Sequence, residues 1–124
     1  DAATLAFLGQ CQMQAGRWAE AEESFVKSLA VHKEAFGPDL PDILERLRSG
    51  KPASELTAKT VRDRRWSIAS CQVNLARIAL AGGRRAQAEG RLAEALLWAP
   101  DWPDLRQDAE EVRRAMGASP GGGS

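Results

Sequence analysis

The sequence predicts an all-α protein in which helical hairpins stack side by side, and three observations lead to this fold class. Apolar and small residues recur at helical spacing, glycines fall where one helix of a hairpin would end, and one hairpin pattern occurs twice. The clearest hairpin covers residues 75–100, where Gly82 and Gly83 separate two helical segments and Pro100 closes the second. Small residues such as Ala76 and Ala88 would let the two backbones approach to roughly 8–10 Å.

The same hairpin pattern occurs earlier in the chain, at a shift of 67 residues that places Gly16 on Gly83. The other matching pairs are Leu8 with Leu75, Gly9 with Ala76, Ala21 with Ala88, Phe25 with Leu92, Ser28 with Ala95 and Leu29 with Leu96. Two repeats of about 34 residues would produce a shift of this size. The chain is therefore predicted to be a fragment of an α-solenoid, a stacked array of helical repeats.

These residues also carry a family resemblance. The Leu-Gly pair, the turn glycine and the apolar positions between residues 8 and 29 resemble the tetratricopeptide repeat (TPR) pattern, as does the second copy. Residues 16–43 look more narrowly like the kinesin-light-chain-like TPR subgroup, with a long second helix and the exit G-x-D-x-P-D. The family's large aromatic residue in the first helix is Gln12 here and Ala79 in the second copy, which implies looser packing inside each repeat.

The predicted organisation is one TPR-like domain over residues 1–118. It comprises a repeat at 2–36, an irregular helical insertion or degenerate repeat at 37–67, a repeat at 68–101 and a capping helix at 102–117. The first helix should span residues 2–15 and the second should run from Trp18 to about Phe36, ended by Gly37. Residues 119–124 resemble an artificial flexible linker.

The insertion is predicted to contain two helical segments. A short helix should begin at Pro41-Asp42 and stop at Gly50, and Ser54 resembles the N-cap of a long helix over residues 55–81. The charged run at 62–65 is predicted to be a solvated face, with a basic patch for an acidic peptide as the alternative. In the last helix, capped by Asp101, one apolar stripe contains Leu105, Ala109, Val112 and Met116.

Composition limits the function classes. The seventeen basic and seventeen acidic residues cancel, so no global field favours nucleic acid or an anionic membrane as a partner. No segment approaches the roughly 18 apolar residues of a membrane span. Since the chain begins at Asp1 inside a helical pattern, we expect that the native N-terminus is missing, and a cytoplasmic location is the default expectation.

The residues that could support metal binding or catalysis are few. We expect Cys11 and Cys71 to be reduced core thiols and His32 to be a partly buried packing residue. The sequence contains no Ser/His/Asp or Cys/His arrangement, phosphate loop or metal-ligand spacing, so we expect no enzymatic activity, no metal and no cofactor.

The TPR resemblance implies that the first helix of each repeat lines a concave groove that binds a peptide or a partner helix. The residues at these positions that we predict to bind peptide are Phe7, Gln10, Met13, Gln14, Asn74 and Arg77. Asn74 and Arg77 lie one turn apart, and an amide with a guanidinium could bind a peptide backbone and a carboxylate. The alternative is that both are polar residues on a solvated face. A chaperone-type carboxylate clamp would need Lys and Asn where Ala6 and Gln10 stand, which argues against a chaperone C-terminus as the ligand.

Two functions remain after these exclusions. The first is a non-enzymatic scaffold or adaptor domain that binds a protein or peptide partner in the groove. The alternative is a self-assembling module in which the patterned faces form a homo-oligomer, because two good repeats fall short of the three or more that usually stack stably.

Overall fold

The computed structural model describes residues 1–50, 59–98 and 102–118, and these residues form helices and short turns with no strand among them. The helices are α1 (Ala2–Gln14), α2 (Trp18–Phe36), α3 (Leu40–Ser49), α4 (Lys59–Ala81), α5 (Arg85–Trp98) and α6 (Pro103–Ala118). A single 3₁₀ turn, Gly37–Asp39, joins α2 to α3. The predicted fold class, an all-α TPR-like helical repeat fragment, is confirmed.

The two hairpin turns have the same geometry, which supports the 67-residue shift. Gly16 and Gly83 both have positive φ angles, 80° and 75°, a backbone conformation that glycine adopts without steric cost. In each turn the next residue closes the same hydrogen bond: the Arg17 amide donates to the Gln12 carbonyl and the Arg84 amide to the Ala79 carbonyl, both at 2.8 Å. Each turn therefore satisfies a carbonyl group at the end of its first helix.

The two hairpins fill the space between their helices with different pairs of side chains. Phe25 is fully buried against α1, where a Cβ atom added to Gly9 would lie only 2.9 Å from its ring. At the matching positions the second hairpin has Ala76 and Leu92, both buried. The larger side chain on the second helix thus requires the smaller residue on the first, because protein cores are close-packed.

Helix α4 is the centre of the domain, since it contacts α2, α5 and α6. The rings of Phe36 and Trp98, at the ends of α2 and α5, stack with centroids 5.7 Å apart. Ile43 of α3 belongs to the same buried cluster. The α6 stripe predicted from spacing is confirmed, because all four of its residues are buried: Leu105, Ala109, Val112 and Met116.

Polar bonds replace aromatic packing in the first hairpin. Where the TPR pattern has a large aromatic residue, Gln12 accepts a 2.6 Å hydrogen bond from the Ser24 hydroxyl. The Ser28 hydroxyl, fully buried, donates to the Ala2 carbonyl at 2.7 Å. These hydrogen bonds offset the cost in folding free energy of burying polar groups.

Two predictions about buried and exposed side chains are wrong. Arg65 is not on a solvated face: it is only 5% exposed, and its Nε donates to the Trp98 carbonyl at 2.9 Å. Its guanidinium also lies 5.3 Å from the centre of the Trp102 ring. Cys11 is exposed rather than a core thiol, whereas Cys71 is buried as predicted.

Some predicted helix boundaries agree with the structure and others lie outside the described residues. Gly50, with φ of 68°, ends α3 as predicted, although α3 begins at Leu40 rather than Pro41. The predicted caps Ser54 and Asp101 lie outside the described residues, as do the predicted first residues of the long helix and residues 119–124. In the described segments, no helix combines the length and the apolar character that crossing a membrane requires.

Candidate functional site

A groove with a volume of about 270 Å³ runs between α1 and α4, and α2 forms its floor. The residues that line it are Ala3, Ala6, Phe7 and Gln10 from α1, Phe25 and His32 from α2, and Trp66, Ser67, Ser70, Cys71 and Asn74 from α4. Both walls include small side chains, Ala3 and Ala6 on α1 and Ser67 and Ser70 on α4, which leave the space between the two helices open.

The rim of the groove carries two large apolar side chains. Phe7 of α1 is 68% exposed, and Trp66 of α4 is 45% exposed. Aromatic residues are enriched at binding surfaces, because a partner can bury a large apolar area on them at little cost in conformational entropy. The groove thus offers an apolar contact on each of its two walls.

Polar contacts inside the groove come from amides and hydroxyls. Asn74 is buried, and its Oδ1 accepts a 3.2 Å hydrogen bond from Arg77 Nη1. The two N–H donors of the Asn74 amide are unused by the described residues, and Gln10 is exposed on the opposite wall. An extended peptide has backbone groups that such amides can bind.

The six peptide-binding residues predicted from the sequence do not all come together. Phe7, Gln10 and Asn74 line the groove. Met13 is half-buried and packs against the hydrophobic core, and the exposed Gln14 lies outside the groove lining.

Arg77 faces a different part of the surface. It lines a second depression of about 300 Å³ between α4 and α6, together with Leu80 and Glu111. Its Nη2 lies 4.0 Å from Asp108 Oδ1 on α6. Arg77 therefore holds the Asn74 amide in place from outside the first groove rather than sharing that groove with it.

At the N-terminal end of α4 the groove continues into a smaller depression of about 250 Å³, lined by His32, Asp63, Arg64 and Ser67. His32 and Ser67 belong to both spaces. Arg64 Nη1 lies 3.3 Å from His32 Nδ1, and the guanidinium lies 6.0 Å from the centre of the Phe36 ring. Partial burial, reinforced by the Arg64 charge, lowers the pKa of His32, so a neutral imidazole can accept the hydrogen bond from Arg64.

The sequence alone did not assign Trp66 and His32 to the groove, or Arg64 to the depression that continues it. The signal for Trp66 was available, because Trp66, Ser70 and Asn74 follow one another at i, i+4 and i+8 on a single helix face. No local pattern places His32 and Arg64 together, since they are 32 residues apart and meet only when α4 packs on α2.

The Cys71 thiol in the groove wall is not poised for nucleophilic chemistry. Burial raises its pKa, and the Ser28 hydroxyl, 3.7 Å away, only partly opposes this effect. A thiol held protonated is a poor nucleophile. Among the described residues, no three His, Cys, Asp or Glu side chains form a group that could hold a metal ion.

Comparison with known proteins gives one match. The family model described as a tetratricopeptide repeat matches residues 2–42, which contain α1, α2 and the start of α3. No curated protein and no solved structure matches the chain. The match supports the TPR resemblance for the first hairpin, and repeats of this family generally mediate protein–protein interactions.

Proposed function

We propose that this chain is a non-enzymatic scaffold or adaptor domain that binds an extended peptide of a partner protein in the groove between α1 and α4. The observation that carries the proposal is the pair of exposed aromatic side chains, Phe7 and Trp66, on the two facing walls of an unfilled groove. This function requires neither a catalytic residue nor a cofactor.

Four residues of the groove and the neighbouring Arg77 have a role in this proposal. Phe7 and Trp66 supply apolar contact area, while Gln10 and the Asn74 amide bind the peptide backbone. The role of Arg77 is to orient Asn74 through its 3.2 Å hydrogen bond. The kinesin-light-chain-like subgroup suggested by residues 16–43 would fit a peptide ligand of this kind.

A phage-displayed library of random dodecapeptides, selected on the purified chain, tests the proposal. We expect Trp66→Ala to weaken the selected peptides by about tenfold or more, because central aromatic contacts dominate such interfaces. Trp18→Ala is the matched control, since Trp18 is 43% exposed, close to the 45% of Trp66, but does not line the groove. Equal affinity for both variants, or a library that yields no specific binder, would refute the proposal.

A second candidate function, self-assembly, is favoured by a contrast between the two repeats. Leu8 on α1 is 45% exposed, whereas Leu75, its equivalent on α4, is 1% exposed. The neighbours on the same faces differ in the same way, since Cys11 is exposed and its equivalent Ile78 is buried. In the described residues α2 contacts α4, and no equivalent helix covers this side of α1.

A second copy of the chain is the occupant that this face suits best. Residues 2–14 include no charged side chain, so two copies of α1 could meet about a two-fold axis without bringing like charges together. Light scattering during size-exclusion chromatography over a wide concentration range should then show a dimer that Leu8→Glu converts to a monomer. A wild-type chain that remains monomeric at the highest concentration would rule out this candidate.

A further inference from the structure

Arg64 is a half-buried cation without a carboxylate partner in the described part of the chain. Arg46 and Arg84 differ in this respect, since they lie 3.0 and 2.8 Å from carboxylate oxygens. Arginine stays protonated in proteins, so it cannot escape partial burial by losing its charge. A held cation that lacks an anion is therefore a candidate contact for an anionic ligand group.

The Arg64 side chain is held rather than freely mobile. Its Nη1 contacts His32 Nδ1 at 3.3 Å, and the guanidinium lies 6.0 Å from the centre of the Phe36 ring. Both contacts come from α2, so packing of α4 on α2 fixes the position of the charge. Preorganisation of this kind reduces the entropy that binding would otherwise cost.

The position of Arg64 connects it to the groove. The depression that contains Arg64 shares His32 and Ser67 with the groove, so the two spaces form one continuous surface. Ten helical residues separate Arg64 from Asn74, which corresponds to about 15 Å along α4. An extended peptide covers this distance with about four or five residues.

We propose that the Arg64–His32 depression binds one carboxylate side chain of the peptide in the groove, about four or five residues from the peptide segment that contacts Asn74. This inference rests on the proposed function, because it specifies the chemistry of the ligand for the same groove. The proposed contact makes the two ends of the groove different, because only the end near the start of α4 would bind an anion.

The charges around the depression favour a single carboxylate over a generally acidic or phosphorylated segment. Asp63 lines the same depression, so a run of acidic residues would meet repulsion there. A phosphate group is usually bound by a cluster of arginines, whereas this depression offers one guanidinium and one imidazole. A carboxylate needs only the two parallel donors of a single arginine.

The test repeats the dodecapeptide selection on the wild-type chain and on Arg64→Gln. We expect wild-type binders to contain one Asp or Glu at a constant distance from the remaining consensus positions, and Arg64→Gln binders to lack this preference. Synthetic peptides that differ only by Glu, Gln or phosphoserine at that position should show the Glu peptide binding about tenfold more tightly than the Gln peptide. The preference should disappear in Arg64→Gln and persist in part in Arg64→Lys, which retains the charge.

Arg62→Gln is the matched control, because Arg62 lies on the same helix but faces the Trp102 ring, 5.4 Å away, instead of the groove. Circular dichroism would verify that each variant is folded. Binders that depend on Trp66 but accept Glu and Gln equally would overturn this inference and leave the proposed function intact. Tighter binding of phosphoserine would overturn the choice of a carboxylate, and the absence of any groove binder would refute the proposed function together with this inference.

Discussion

Gly9 and Phe25 provide the sharpest test of the repeat packing. A Cβ atom at position 9 would lie 2.9 to 3.0 Å from three carbon atoms of the Phe25 ring, and that ring is completely buried, so its shift would disturb the surrounding core. Overpacking of this kind costs about 1–3 kcal/mol. Replacing a helix-interior glycine by alanine otherwise contributes about 1 kcal/mol of stability. We therefore expect Gly9→Ala to change the free energy of unfolding by between about zero and a loss of 2 kcal/mol.

The chain contains its own control and its own rescue. Gly90 lies in helix α5 with nothing within 4 Å of a built Cβ atom, so Gly90→Ala should gain the full 1 kcal/mol or so of helix propensity. Leu92 occupies the Phe25 position in the second hairpin, where Ala76 replaces glycine, so Phe25→Leu should remove the steric penalty of Gly9→Ala.

Urea unfolding of the single and double variants gives the coupling between positions 9 and 25 as a double-mutant cycle. We expect a coupling of about 1–3 kcal/mol, with Gly9→Ala becoming stabilising in the Phe25→Leu background. Thermal unfolding followed by circular dichroism should show the same order of stabilities. If Gly9→Ala stabilises the wild-type chain as much as Gly90→Ala does, and the coupling is near zero, then the ring does not pack where the structure places it.

Three further predictions follow from individual side chains. His32 has a lowered pKa in the folded chain, so the unfolded chain binds a proton more readily. The free energy of unfolding should therefore fall as the pH decreases from about 7.5 to 5.5. Urea titrations over this pH range should show a weaker pH dependence for His32→Gln. Arg65→Ala leaves the buried Trp98 carbonyl without its 2.9 Å donor and should cost about 2–4 kcal/mol, measured against the exposed Arg62→Ala, which should cost below about 1 kcal/mol. Ser28→Ala removes the hydroxyl that donates to the Ala2 carbonyl and accepts the weak hydrogen bond of the Cys71 thiol, and it should cost about 1–2 kcal/mol of unfolding free energy.

The repeat hairpins could be predicted from the sequence because their determinants are local. A turn glycine, a small residue at each close contact and an apolar stripe at helical spacing all lie within about 25 residues of one another. The two turns accordingly adopt the same geometry, with Gly16 and Gly83 in the left-handed region. The α6 stripe was also predictable, since one face of a single helix decides it.

The burial of Arg65 and the exposure of Cys11 could not be predicted because they depend on neighbours distant in sequence. Arg65 is covered by Trp98 and Trp102, more than 30 residues later in the chain, and nothing in the local run of charges indicates this contact. Cys11 occupies the position that Ile78 has in the second hairpin, but burial follows a repeat pattern only where an adjacent helix is present. Sequence periodicity identifies the apolar face of a helix, but whether that face is buried depends on which helix packs against it in the folded chain.

Arg77 shows how the candidate site divides along the array. Under the 67-residue shift, Gln10, Met13 and Gln14 of α1 correspond to Arg77, Leu80 and Ala81 of α4, and these three line the depression between α4 and α6. The sequence-predicted site therefore contains parts of two separate spaces, the groove between α1 and α4 and the depression between α4 and α6, each bordered by the first helix of a hairpin.

The division yields a last prediction, which depends on ligand length. A short peptide confined to the space between α1 and α4 should bind Arg77→Lys almost as well as wild type, because the substitution keeps a donor near Asn74 Oδ1. A peptide extended past Asn74 would cross α4 and reach the Arg77 guanidinium, which is only loosely paired with Asp108 at 4.0 Å. An acidic residue in that extension should gain affinity in wild type, by about two- to fivefold for a partly exposed pair, and lose most of the gain in Arg77→Gln. Fluorescence titration of Trp66 with short and extended versions of one selected peptide measures both affinities. If Arg77→Gln weakens the short and the extended peptide equally, then Arg77 acts only through Asn74. In that case the groove between α1 and α4 and the depression between α4 and α6 do not form one binding surface.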